Sequence, residues 1–404
     1  MDLQQTLGSP TNSTAGSIYY ILTGSFRSLS LFLLAFSTET RHLSHVETIP
    51  AFGPHQYLGT NLQKDRVYAT SWALPPALSS WEVLRPPGET WSVRHINSVP
   101  ITATSSYVTV PAPYRHVYSA GGPTGEVHIV DEVTGGLSEK IQQLLFVPED
   151  ELESADKTRV ALRYGSHGVE FTSRFAFIPV LGTDTIEMYE RDLSSGKLNH
   201  IASVGSPRGK GAHDGPRHVK IHPNGKVLYS VTEHTNMVDA YKIQPTTLEY
   251  VASQSLLPEQ HEVNSSQFRG DTLMLAPPSS SFPSPRVLFT TTRGGKSDTR
   301  GWLSAFALDE DGLFTSKSQR FETPTSGGKA NAIDLLQKNP SGADGLWIVL
   351  TDDDDATASS SGTGSVRVLE WDETSIQIVC EWPSSDEDIA GERILGASHA
   401  IWLD

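Results

Sequence analysis

RHVKIHPNGKVLYSVTEHTNMVDAYKI, residues 217–243, and HGVEFTSRFAFIPVLGTDTIEMYER, residues 167–191, share one grammar. Each has a short apolar run, a polar turn, a second apolar run, another polar turn, and a third run ending in aromatic and charged residues. Such runs, bounded by Gly, Pro, Asn, Asp and Ser, read as strands, so each stretch is three antiparallel strands of one unit. In HPNG, residues 222–225, Pro breaks the strand and Gly takes the positive φ of a tight turn, which makes His222 a turn residue. Both units open on a basic side chain, His167 and Arg217, just before the first strand. If the units are blades of a propeller, these two residues occupy equivalent places around a common axis.

Outward from these two units, residues 57–96, 107–147, 271–321 and 331–382 repeat the pattern. A period of roughly 40–55 residues marks a propeller or another repeat array. HAIWL, residues 399–403, is left as a lone C-terminal strand, while IYYILTGSF and LSLFLLAFS near the N-terminus lack an innermost partner. An unpaired edge is a liability, and pairing the two ends removes it. The expected fold is therefore all-β, a seven-bladed β-propeller closed by pairing of N- and C-terminal strands in one blade. Residues 1–16 are expected to be a flexible tail and 17–404 a single domain.

Composition fits this reading. A chain of 404 residues exceeds a usual single core, but circular repeats grow past that limit as one domain. With 31 basic against 47 acidic residues the net charge is −16, which disfavours nucleic acid and anionic membranes as partners. It does not exclude a small anionic substrate as partner, because a local basic pocket can oppose the global field, and a homo-oligomer is compatible with the sequence. Cys380 is the one cysteine, so no intrachain disulfide forms, and within SIQIVCEW it reads as a buried, inert strand thiol. The apolar segment 17–36 is interrupted by Arg27, has no basic region before it and no small-residue cleavage site after it, so a cytoplasmic protein is expected. Residues 276–286 and 356–365 read as surface insertions. GSPRGKGAHDG, residues 205–215, reads as a connection able to bend over a mouth, since no helix follows it to make a phosphate loop. The run Asp352 to Asp355 reads as a solvated acidic turn, and no metal site is expected.

Topology then selects candidate chemistry. The innermost strand of each blade begins at one face, and the turn between the second and third strands returns to that face. His167 and Arg217 precede innermost strands, whereas Glu233 and Arg293 end second strands, so all four should surround one mouth of the channel. Tyr164, Arg269, Lys329, Asn331 and His399 belong to the same rim by the same rule. Arginine offers a rigid fork for carboxylate or phosphate, and a neighbouring His and Glu can move protons. A structural ion pair between Arg217 and Glu233 is the competing explanation, and convergence of four residues on one face favours a site.

The stretches GSHGVEF (165–171), GPRHVKIHPNGKVLYSVTE (215–233), TTTRGG (290–295), TPTSGGKANA (323–332) and the ending AIWLD carry a resemblance. In them the chain resembles the fungal 3-carboxy-cis,cis-muconate lactonizing enzymes (carboxy-cis,cis-muconate cyclases), within the propellers related to 6-phosphogluconolactonase. The likeness is dense from about residue 160 onward, and His399 stands where the family tail usually has Asn. It implies a cofactor-independent closure of an unsaturated polycarboxylate to a γ-lactone by His167, Glu233, Arg217 and Arg293. Arg217 and Arg293, with Asn331 and His399, would bind the substrate, and His167 or Glu233 would deliver the proton, His167 being favoured. A 6-phosphogluconolactonase-type hydrolase and a non-catalytic interaction platform are the alternatives.

Overall fold

In the computed structural model, residues 16–339, 345–353, 364–384, 394 and 396–404 are described. The expected tail, apart from Gly16, lies outside them. The described chain forms seven four-stranded antiparallel sheets arranged as the blades of a ring. Blade 1 runs from the innermost strand Ala397–Trp402 through Ile18–Ser25 and Ser30–Ser37 to His42–Pro50. Blades 2 to 7 follow in chain order over residues 55–100, 107–145, 170–205, 216–255, 268–322 and 333–382.

Burial explains the sequence pattern. The second strands Phe175–Val180 and Val227–Thr232 are buried at every residue, because each lies mid-sheet with a neighbouring blade on both faces, hence the continuous apolar runs. The outermost strand Leu198–Gly205 mixes buried and exposed positions, as expected where one face meets water. At HPNG the Gly225 amide donates to the His222 carbonyl at 2.8 Å with Gly225 at φ +70°, and the His222 ring meets Ser284 Oγ at 3.1 Å. His222 is thus a turn residue.

The two ends of the chain close the ring. Ile21, Leu22 and Thr23 pair with Trp402, Ile401 and Ala400. Beyond the strands, the Leu403 amide donates to the Tyr20 carbonyl at 2.9 Å and the Tyr20 amide to Asp404 Oδ2 at 2.6 Å. Phe32, Phe36, Trp347, Trp382 and Trp402 fill the seam between blades 7 and 1.

Two local expectations are corrected. Asp352 and Asp353 are buried, not solvated: Arg367 Nη1 lies 2.5 Å from Asp352, while Arg27 and Lys329 lie 2.9 and 3.2 Å from Asp353. They end the second strand of blade 7, where cations from adjoining turns converge, and the rest of the acidic run lies outside the described residues. Cys380 is only partly buried, because it sits on the outermost strand of blade 7, although burial still pushes its thiol up to about 12. The 205–215 segment does connect blades 4 and 5, and within it Arg208 pairs with Asp214 of the same segment at 2.7 Å and with Asp239 of blade 5 at 2.6 Å. Among the described residues no helix is long and apolar enough to cross a membrane.

Candidate active site

Arg217 is the second residue of the innermost strand of blade 5, Pro216–Ile221, and the pairing register slips between Pro216 and His218. Such a bulge re-aims one side chain out of the pleat. The freed guanidinium donates from Nε to Glu233 Oε2 at 3.1 Å and from Nη1 to the Asp271 carbonyl at 2.6 Å, and its Nη2 lies 3.0 Å from Asp271 Oδ1. Arg293, near the end of the second strand of blade 6, approaches the same two carboxylates, 3.4 Å from Glu233 Oε1 and 3.1 Å from Asp271 Oδ1. Two guanidiniums and two carboxylates thus alternate in one buried cluster. His167, 6% exposed, stands beside it, and its Nδ1 is buried without a hydrogen-bond partner.

The four residues grouped by topology therefore meet, and Asp271 joins them as a fifth. Asp271 lies in the innermost strand of blade 6, Phe268–Leu275, inside a second register slip between Gly270 and Leu273. Its signal in the sequence was an acid within an apolar strand, which has to be paired if buried. The rule that selected strand starts passed over it. His218, also missed, supports Arg217: Arg217 Nη1 faces its Nε2 at 3.4 Å, while its Nδ1 meets Thr272 Oγ1 at 3.1 Å. An arginine can only donate, so Nε2 accepts and His218 is neutral.

The other rim candidates separate. The Asn331 amide side chain is spent on the Thr292 carbonyl at 2.9 Å, while its backbone N–H donates to Asp271 Oδ2 at 2.8 Å, so it braces the cluster from behind. His399 lies deeper in the channel, stacked on Tyr57 with ring centroids 3.8 Å apart, its Nδ1 accepting from the Leu58 amide at 3.2 Å. It lines the same small cavity as Arg217, Asp271 and Lys329. Arg269 is held by the Ser266 and Phe268 carbonyls of its own turn, and Tyr164 is 68% exposed. Three residues after His167 and Arg217 come Glu170 and Lys220, equivalent positions of the repeat that pair with one another and with the Tyr107 hydroxyl. They line a cavity of about 410 Å³ together with Tyr57, Asp334 and Trp402.

Charge state follows from these surroundings. Burial alone would raise the Glu233 carboxyl, but Arg293, Arg217 and His167 carry it down to about 2. Burial lowers His167 to about 3, the positive field of Arg217 adding to the depression and Glu233 opposing it. At neutral pH Glu233 is therefore ionised and His167 is a neutral imidazole. Both shifts act with the same sign on stability. The unfolded chain binds the His167 proton below about 6.5 and the Glu233 proton below about 4.5, whereas the folded site refuses both. Their contribution is complete above pH 6.5 and falls as the pH drops towards 3 and then 2. At pH 5 His167 alone should cost about 2 kcal/mol. Urea midpoints of wild type and His167→Gln measured from pH 8 to 5 should show the wild type losing more, and parallel curves would refute this.

The fold and the cluster define a seven-bladed propeller with a buried, charge-alternating site at one mouth of its channel. The chain belongs to the family described as lactonase, 7-bladed β-propeller, whose model matches residues 19–333. It is 30% identical over 402 residues to muconate cycloisomerase 1 of Cutaneotrichosporon cutaneum, covering 97% of this chain and all of that protein. To the carboxy-cis,cis-muconate cyclase of Neurospora crassa it is 28% identical over 199 residues, 47% of this chain and 50% of that one. Among solved structures, a periplasmic gluconolactonase of Pseudomonas aeruginosa superposes with a TM-score of 0.67 at 17% identity, covering 96% of this chain and 99% of that one. At that identity the last likeness speaks for the fold alone.

Proposed function

We propose that this protein is a cofactor-independent cycloisomerase that closes 3-carboxy-cis,cis-muconate, or a related unsaturated polycarboxylate, to its γ-lactone. The observation that carries this reading is the pair of arginines held side by side over shared carboxylates next to a neutral histidine. The full-length likeness to a protein named for muconate cycloisomerisation supports it.

The reaction needs little beyond placed charge. One substrate carboxylate adds across a double bond, a C–O bond forms, and the π electrons move onto the carbon beside another carboxylate. Arg217 and Arg293 clamp the carboxylates and face the enolate-like charge as it develops, where preorganised donors are most effective. A proton then goes to the carbanionic carbon, and this protonation leaves the lactone with one negative charge fewer than the substrate.

His167 is the donor in this scheme. At rest it is neutral, but a polycarboxylate seated beside it adds negative field and raises its pKa, so binding itself loads the proton. Binding of an inert tricarboxylate at pH 7 should accordingly take up close to one proton, read by calorimetry in buffers of different ionisation enthalpy. His167→Gln should abolish that uptake, and equal uptake in both proteins would exclude His167.

The direct test incubates the purified protein with 3-carboxy-cis,cis-muconate, cis,cis-muconate and 6-phosphogluconolactone. Loss of diene absorbance with the first supports the proposal. Acid release from the third, with both dienes untouched, would instead indicate a lactone hydrolase, whose phosphate the two arginines could hold equally well.

A further inference from the structure

We propose that Asp271 is a positioning residue which sets the relative placement of the two arginines and, by its charge, weakens their grip on the resting polycarboxylate. This rests on the function proposed above.

One oxygen of Asp271 forms ion pairs with both guanidiniums without hydrogen-bond geometry. Oδ1 lies 3.0 Å from Arg217 Nη2 and 3.1 Å from Arg293 Nε. The residue also grips Arg217 through its backbone, whose carbonyl accepts from Nη1 at 2.6 Å. Its other oxygen is fixed from blade 7 by the Asn331 amide at 2.8 Å. The Asn331 position is fixed in turn, since its carbonyl accepts from Thr291 Oγ1 at 2.6 Å and its side chain donates to Thr292. Asp271 is 1% exposed and both arginines lie against its carboxylate, whereas Glu233 keeps 18% of its side chain exposed. The carboxylate is thus a pivot anchored in blades 6 and 7 for side chains from blades 5 and 6.

The charge balance gives the second half of the inference. Arg217 and Arg293 are matched by Glu233 and Asp271, so the four side chains together bring no net charge to attract a trianion. A fixed negative charge beside the two forks repels a ligand carboxylate, and more strongly in a buried site than in water. An arginine pair without Asp271 would therefore hold the trianionic ground state more tightly. Ring closure moves one negative charge from a carboxylate onto the enolate-like carbon without changing the total, and only the proton then makes the dianion, so tighter binding of the ground-state carboxylates does not by itself speed the closure. Alignment of the two forks with the developing enolate does. Asp271 trades the first for the second.

Asp271→Asn keeps the shape and removes the charge, while Asp271→Glu keeps the charge and displaces it by one methylene. With Asp271→Asn, propane-1,2,3-tricarboxylate measured by calorimetry should bind at least threefold more tightly, while kcat falls tenfold or more. With Asp271→Glu, kcat should fall tenfold or more with the tricarboxylate Kd within about twofold of wild type. A buried residue of purely structural importance would weaken binding and turnover together. That parallel loss overturns the proposal, as does wild-type kcat in either variant, and failure of both variants to fold reduces Asp271 to a structural ion pair. If the wild-type protein binds the tricarboxylate but turns over no muconate, the cycloisomerase reading fails, and the affinity change in Asp271→Asn still decides the charge effect.

Discussion

Replacing Arg217 by Ala is expected to lower kcat/KM on 3-carboxy-cis,cis-muconate by about 1,000-fold or more. Hydrogen bonds to charged groups are worth about 1.5–3 kcal/mol each, and a lost fork removes two of them. That is about 4 kcal/mol, or three powers of ten in rate. Arg217 is also tied into the scaffold, its side chain only 8% exposed against Glu233 and Asp271. Removing one partner of a buried pair costs about 3–5 kcal/mol of stability, so activity has to be compared at a temperature where the variant is folded. Arg217→Lys separates the two effects. It returns a positive charge to both carboxylates but not the planar fork, so the melting temperature should recover more than the rate. A folded Arg217→Ala protein with near wild-type kcat/KM would remove Arg217 from the chemistry.

The outline of this site was legible because a propeller converts sequence position into place. HGVEF and RHVKI align residue for residue, and that alignment put His167 and Arg217 at one mouth before any contact was known. The same alignment holds Glu170 against Lys220, and their pairing deeper in the channel was readable by the same step. Asp271 was harder to see. A period-two pleat assigns each residue to a face, and the slip between Gly270 and Leu273 breaks that assignment where Asp271 sits. Bulges leave no fixed signature in a single sequence. Asn331 lies against Asp271 through its backbone, but whether its amide meets a ligand or a neighbouring carbonyl depends on the adjacent strand, here at Thr292. The misreading of Asp352 and Asp353 has the same origin. Their cations, Arg367, Arg27 and Lys329, come from three separate turns or strands, and local composition shows only the repulsion.

Ending the chain at residue 396 is expected to prevent stable folding altogether. The segment removed contains Ala397–Trp402, buried at every position, and supplies the innermost strand of blade 1. Its loss bares the edge of Ile18–Ser25 and removes Trp402, fully buried against Phe36 and Tyr19 with ring centroids 6.1 and 6.3 Å away. Truncating a buried Trp alone costs about 3–5 kcal/mol. Domains of this kind have about 5–15 kcal/mol in total, and the strand also carries the ladder and the links of Leu403 and Asp404 to Tyr20. Trp402→Ala in the full chain should lower the urea midpoint while keeping one cooperative transition. The truncated chain should aggregate through its open edge, and a synthetic 397–404 peptide added during refolding should restore part of the soluble yield. A truncated chain with the urea midpoint of the whole protein would mean that the ring does not depend on its seam. The consequence extends to function, since His399 on this strand stacks on Tyr57 in the cavity that also holds Arg217 and Asp271. The strand that closes the fold therefore also lines the cavity beside the arginine–carboxylate cluster, so any truncated protein that stays in solution should be inactive.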